Sequence, residues 1–283
     1  MVLRTEVCEL PTSDGEMLHG LLFTPEEGGG SSDLAFVLVH AVAMNFYTGP
    51  LPVVGQLLAE QGYSALSMNT RGHDWICRAG EGTEFGGATF EAIEDCLLDL
   101  DGGLAWLGER GYARFVLFGH SLGGVKVLYY QGHCLRSDVS EVVSCSTPKH
   151  FYSHRLQEQP DFAGHIAEAE ALLAAGRGDE LLQAPAGSGM GLFSARTYVN
   201  KYGAEERTDV RPHAARLGCP LLATAGSREP AFVEHARELA AAAGSEGGHC
   251  VVVEGAEHFY RGYTDVLTDA VVRWLGQAVR PGR

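Results

Sequence analysis

Short unbroken apolar runs recur along this chain, and the stretches between them carry the period of amphipathic helices. Leu34–Val39 reads LAFVLV, the pattern of a strand covered on both faces rather than on one. Similar runs are Tyr63–Met68, Phe115–Phe118, Val142–Cys145, Leu221–Ala225 and Cys250–Val253. Helical patterns separate them at Leu51–Gln61, Leu122–Leu135, Phe232–Ala243 and Asp265–Ala278. The clearest places Phe90, Ile93, Leu97, Leu100, Leu104 and Leu107 on one helix face, with Gly102 and Gly103 marking a site for a break. Strands alternating with helices predict an α/β fold: a mostly parallel sheet with helices on both faces. Near the start, Thr5–Glu9 and Leu18–Phe23 flank Ser13-Asp14-Gly15 and predict a hairpin. Glu26–Ser32 reads as a Gly/Ser-rich connection.

The alternation stops between Ser146 and about Arg216. No apolar strand-like run is evident there. The stretch holds a helical piece at His165–Ala175, a loop rich in Gly, Ala and Ser at Ala184–Gly191, and a further segment at Ser194–Tyr202. The predicted organisation is a core of residues 1–145 and 217–283 and a helical cap insertion of residues 146–216. Such an insertion would lie over the C-terminal edge of the sheet, where open α/β sheets bind ligands. A length of 283 residues fits one large domain of this kind.

Composition narrows the partners. The formal charge is −15, with no basic run, which disfavours nucleic acid and anionic lipid. Met1–Leu10 alternates polar and apolar residues and lacks the core of a signal peptide, and no stretch approaches the roughly 20 apolar residues of a membrane span. Seven cysteines without a CxxC pair fit a reducing cytoplasm, not a disulfide framework or a zinc site. The expected location is therefore cytoplasmic; these patterns leave the oligomeric state open. Glycine is in excess, 37 of 283 residues, which implies many tight turns and close backbone approaches.

The strongest chemical signal is Gly119-His120-Ser121-Leu122-Gly123, set between the strand Arg114–Phe118 and the helix Leu122–Leu135. Strand, sharp turn and helix with G-x-S-x-G at the turn is the setting of a nucleophile elbow. The serine backbone there is strained, and the residues two before and two after it pack together, so anything larger than hydrogen clashes. A hydroxyl needs a base, and the order Ser, acid, His predicts that base after the last strand. Gly255-Ala256-Glu257-His258-Phe259 follows Cys250–Glu254 and supplies His258. The acid is expected after Leu221–Ala225, where Glu229 stands three residues past Gly226; the other possible place, after Val142–Cys145, offers only Ser146, Thr147 and Pro148. Two backbone N–H groups complete the set: that of Leu122, and that of Val42 in the loop after Leu34–Val39. Other histidines fit the base worse: His120 lies within the elbow, His40 in that loop, His249 at the wrong end of a strand, and His213 and His235 before a strand and within a helix.

These residues make the chain resemble a serine α/β-hydrolase over essentially its whole length. It is similar in particular to a capped branch with an H-G-M-G-G-N-F-Y loop, an N-x-R-G-H-D segment and S-L-G-G-x-K after the nucleophile; here these read HAVAMNFY (40–47), NTRGHD (69–74) and SLGGVK (121–126). The resemblance implies the α/β-hydrolase fold with an eight-stranded sheet, and cleavage of a carboxylic ester, thioester or lactone through Ser121, His258 and Glu229. Ala41, Val42, Ala43 and Met44 replace a Gly-rich run, which predicts strain wherever that loop needs φ > 0. Arg71-Gly72-His73-Asp74 is expected to organise the sheet edge, and Lys126 to find a partner under the cap. Residues expected around a small-molecule acyl substrate are Ala41, Asn45 and Phe46, His120 and Phe259, and Phe151, Tyr152, Phe193 and Tyr198 from the insertion, although core packing accounts for most aromatics. No cofactor and no metal is expected: Gly28-Gly29-Gly30 opens no helix and no His/Cys/Asp grouping has ligand spacing. Two rivals share the fold: an acyltransferase or cyclase using the same triad, and a non-catalytic ligand-binding homologue.

Overall fold

A computed structural model describes residues 3–25, 33–78, 84–186, 189–244 and 247–278. The Glu26–Ser32 connection and its three glycines lie outside the described residues. The predicted hairpin forms as β1 (Arg4–Pro11) and β2 (Met17–Thr24). Then come β3 (Leu34–Val39), α1 (Leu51–Glu60), β4 (Ser64–Met68), the short pair β5 (Cys77–Arg78) and β6 (Phe85–Gly86), and α2 (Cys96–Gly108). Next are β7 (Arg114–His120), α3 (Leu122–Cys134) and β8 (Val139–Cys145). The 146–216 stretch contributes α4 (Tyr152–Glu158), α5 (Phe162–Ala174), β9 (Leu181–Pro185), β10 (Met190–Ser194), α6 (Ala195–Tyr202) and α7 (Arg211–Ala214). The chain closes with β11 (Leu221–Gly226), α8 (Pro230–Ala242), β12 (Gly248–Val253) and α9 (Thr264–Ala278).

Eight strands form one sheet in the order β1-β2-β4-β3-β7-β8-β11-β12. β1 and β2 pair antiparallel, as do β2 and β4; every later pairing is parallel. Continuous apolar strands make sense here because both faces are covered. Leu100, Val125, Leu128 and Leu239 pack on one face, and Leu58, Val54, Leu267 and Trp274 on the other. The strand order reverses at β3, with β4 on one side and β7 on the other. Loops leaving β3 and β7 therefore diverge, and the crevice between them is where such sheets take ligands.

Two expectations about elements change. The helix predicted from the period beginning at Phe90 starts only at Cys96, after a 3-10 turn at Ile93–Asp95, and it runs unbroken through Gly102 and Gly103. Those glycines serve contact: a Cβ on Gly102 would sit 2.9 Å from the Pro11 carbonyl oxygen, and one on Gly103 2.7 Å from the Met68 sulfur. The insertion is also not purely helical. β9 and β10 pair antiparallel across what reads as a Gly/Ala/Ser loop. Only part of each strand is buried, and adjacent apolar residues come no more than two at a time, at Leu181-Leu182 and Leu192-Phe193, so no continuous run announces them. Phe162, Leu182, Phe193, Tyr198 and Tyr202 form a hydrophobic cluster of the insertion's own. Among the described residues, no helix is long and apolar enough to cross a membrane.

Candidate active site

Ser121 sits between β7 and α3 with φ 55° and ψ −121°, a backbone region that L-residues avoid. The strain is held by tight neighbours. A Cβ on Gly119 would stand 2.1 Å from the Gly123 carbonyl oxygen, and one on Gly123 2.0 Å from the Val39 carbonyl oxygen. The Ser121 N–H donates to the Cys145 carbonyl of the adjacent strand at 2.8 Å. The hydroxyl is thereby raised at the N-terminus of α3, where unpaired N–H groups favour negative charge.

His258 lies in the turn after β12, and its Nδ1–H donates to Glu229 Oε1 at 2.6 Å. That bond leaves Nε2 as the free acceptor of the ring. The ring is flanked by Phe232 and His120, each with its centroid 5.0 Å away. Glu229 precedes α8, and its second oxygen accepts from Ser146 Oγ at 3.0 Å. Ser146 Oγ also meets the Tyr260 hydroxyl at 2.9 Å. Ser146 and Tyr260 are buried and both hold φ > 0, at 44° and 53°.

The loop after β3 keeps its shape without glycine. Ala43 alone among residues 41–44 takes φ > 0, at 51°. The rest is secured from outside. Asn45 Nδ2 donates to Asp74 at 3.0 Å, the Phe46 N–H to Asn69 at 2.8 Å, and the Asp74 N–H to the Met44 carbonyl at 3.0 Å. His40 Nδ1–H donates to the Ala41 carbonyl, and its Nε2 accepts from the Thr70 N–H at 3.0 Å. Burial, and then the charge of Lys126, pushes His40 down to about 3, so it stays neutral. The N–H of Leu122, first in its helix, has no intrahelical acceptor, and Val42 and Leu122 border the same cavity as Ser121.

That cavity measures about 520 Å³ and brings Ser121, His258 and Glu229 together. Of the residues expected around the site, Ala41, Val42, Leu122 and Phe259 are at its wall. The other residues expected there lie elsewhere. Asn45 and Phe46 tie the β3 loop to the 69–74 segment by the bonds above. His120 is wholly buried and donates Nε2–H to the His258 carbonyl at 2.7 Å. Burial, and then proximity to His258, pushes its pKa down to about 3. Tyr152, Phe193 and Tyr198 belong to the insertion's hydrophobic cluster, and Phe151 packs beneath the Arg211 guanidinium at 4.4 Å. Aromatic side chains that bury this much area are drawn into the insertion's core.

Sequence reasoning missed the wall supplied by the 146–216 stretch: Pro148, Lys149, His150, His154 and Gln159, with Ala186. It also missed Phe232, on the first turn of α8 beside Glu229. One signal was available: residues 148–159 directly follow the C-terminal end of β8 and so must start above the sheet edge. Burial, and then Arg155, pushes His150 well below the usual histidine range, so it faces the cavity neutral. Lys126 has its partner, a carboxylate that sequence reasoning did not single out. Glu91 is wholly enclosed and pairs with both Lys126 and Lys201, the latter at 2.6 Å. Burial works to raise Glu91, but the two ammonium groups outweigh it and hold it at about 2. Among the described residues, no group of three or more His, Cys, Asp and Glu side chains is arranged to hold a metal ion.

Comparison with known proteins agrees with this architecture. A model of the alpha/beta hydrolase family matches residues 21–270, and the chain belongs to that family. Est1E from Butyrivibrio proteoclasticus, solved with ferulic acid, is 17% identical with a TM-score of 0.68, covering 96% of this chain and 99% of that one. The esterase PF2001 of Pyrococcus furiosus is 17% identical with a TM-score of 0.63, covering 98% and 92%. DcsB in complex with its substrate analogue is 13% identical with a TM-score of 0.73, covering 98% and 100%. At these identities the likeness is one of fold. No curated protein matches the sequence.

Proposed function

We propose that this protein is a serine hydrolase that cleaves a carboxylic ester, thioester or lactone through an acyl-enzyme, with residues 146–216 capping the site. The observation that carries the reading is the His258–Glu229 bond of 2.6 Å in the same cavity as a hydroxyl on a strained elbow. His258 Nε2 takes the Ser121 proton as Oγ attacks the carbonyl. Glu229 holds the Nδ1–H tautomer and stabilises the imidazolium without itself taking the proton. The Val42 and Leu122 N–H groups receive the oxyanion, each worth roughly 3 kcal/mol in the transition state. His258 then protonates the leaving alcohol or thiol, and water repeats the sequence on the acyl-enzyme. The absence of glycine in the β3 loop favours a non-catalytic role only if the donor is misplaced; the outward bracing of Asn45, Phe46 and Met44 supports a preformed loop.

The test is Ser121→Ala. The wild type is expected to release nitrophenol from short-chain esters with a burst and to be labelled by a fluorophosphonate. Ser121→Ala should lose the label and at least about a thousandfold in kcat. Retained turnover by the variant would overturn the reading.

A further inference from the structure

Arg155 is wholly buried in the cap, on α4, and no described carboxylate pairs with it. Its Nη2 donates to the Pro185 carbonyl at 3.1 Å, while among the described residues Nε and Nη1 meet no carboxylate or carbonyl, and the polar group within their reach is the neutral Tyr198 hydroxyl. The guanidinium lies 4.2 Å from the Tyr202 ring centroid and 5.2 Å from that of Phe162. The other enclosed cations of this region, Lys126 and Lys201, share Glu91. A lone interior cation is costly, and stacking on two rings recovers only part of that cost.

The position of Arg155 shows where a counter-charge could sit. Tyr202, on which it stacks, is part of the cavity wall, as is Ala186, next to the carbonyl it holds. Gln159, one helical turn further along, also lines the cavity, where its side-chain amide N–H₂ is a donor for a carboxylate. His150, beside them, is neutral and offers no negative charge. Lys149 is already matched by Glu234 and Glu238. The cavity is therefore polarised. Its core side carries Glu229, and its cap side is backed, one ring away, by an unmatched positive charge.

We infer that the substrate is an acid: an ester, thioester or lactone whose non-reacting part carries a carboxylate, seated against Tyr202 and Gln159 in the field of Arg155. This rests on the serine-hydrolase reading of the same cavity. Coulomb attraction across one aromatic ring at an effective dielectric of about 20 corresponds to roughly a 10- to 50-fold preference over a neutral analogue. Because Arg155 is enclosed, salt should screen the preference little. General attraction at the surface would act oppositely, since the whole chain carries −15.

The experiment compares acid and neutral partners of equal length. Turnover is measured for mono-4-nitrophenyl glutarate, adipate and suberate against 4-nitrophenyl esters of the methyl-ended acids. Binding to Ser121→Ala is measured calorimetrically for monomethyl against dimethyl adipate, and for 4-(butyryloxy)butyrate against its methyl ester. The expected result is at least tenfold favour for an acid in one series, kept in 0.5 M salt (a concentration of about that size), lost in Arg155→Met and retained in Arg155→Lys. Binding to Ser121→Ala reads the inference even if no ester is turned over, so the two readings fail separately. No acid preference in the wild type would overturn it, whether or not Arg155→Met folds. So would a preference that survives Arg155→Met, which would leave Arg155 with aromatic packing and bound water only.

Discussion

Ser146 stands at the other place considered for an acid, and it binds Glu229, the acid of the proposed triad. Its hydroxyl holds the outer oxygen of Glu229 while His258 takes the inner one, and Tyr260 holds Ser146 in turn. A glutamate arm has one more rotatable bond than an aspartate, so a second contact is what keeps its carboxylate facing the ring. Glu229→Gln should lower kcat by about 10⁴, because the amide favours the wrong His258 tautomer. Ser146→Ala should lower kcat about tenfold with KM little changed, the scale of one hydrogen bond to a charged group. Steady-state kinetics on one nitrophenyl ester checks both; an unaltered kcat in Ser146→Ala would remove Ser146 from the positioning set. Glu229 and His258 were legible in the sequence because each directly follows a readable strand. Ser146 and Tyr260 were not, because a hydroxyl shows no pattern until its partner is near.

Between elements, Glu91 is the joint. It precedes α2 and binds Lys126 of α3 and Lys201 of α6, so the helix after Ser121 and the 146–216 stretch share one carboxylate. Gly72 makes room for it: a Cβ there would meet the Glu91 carboxyl carbon at 2.1 Å. The glycine of the NTRGHD segment and the lysine of SLGGVK thus answer to the same acid. Removing one member leaves buried charge unmatched, so Glu91→Ala should cost about 3–5 kcal/mol of stability. Urea denaturation at neutral pH measures it, and a loss below about 1 kcal/mol would contradict the joint. Most sheet elements could be read from apolar runs. The β9–β10 hairpin could not, because each half-buried strand offers only two adjacent apolar residues, Leu181-Leu182 and Leu192-Phe193.

For the molecule as a whole, stability should depend on acid through its enclosed histidines. His40 and His120 stay neutral in the fold, pushed down to about 3, against an ordinary 6.5. Below pH 6.5 the unfolded chain takes up these protons and the folded chain does not, until pH nears 3. Each residue therefore favours unfolding by about 1.4 kcal/mol per pH unit within that window, and by nothing above it. Denaturation midpoints should fall from pH 7 to pH 5, and His120→Asn should reduce proton uptake on unfolding near pH 5 by about one. An uptake unchanged in that variant would mean His120 is charged in the fold.

The sequence by itself determined the mostly parallel sheet and the G-x-S-x-G turn at Ser121, with Glu229 and His258 each placed after a strand. All of these are written in the spacing of neighbouring residues, which backbone geometry turns directly into strand, turn and helix. Only the tertiary structure decided which groups surround them. Ser146 reaches Glu229 across 83 positions, Lys201 reaches Glu91 across 110, and among the described residues no carboxylate meets Arg155 behind Tyr202. Such contacts depend on the paths of loops and on how the insertion folds back over the sheet, and no local period encodes either.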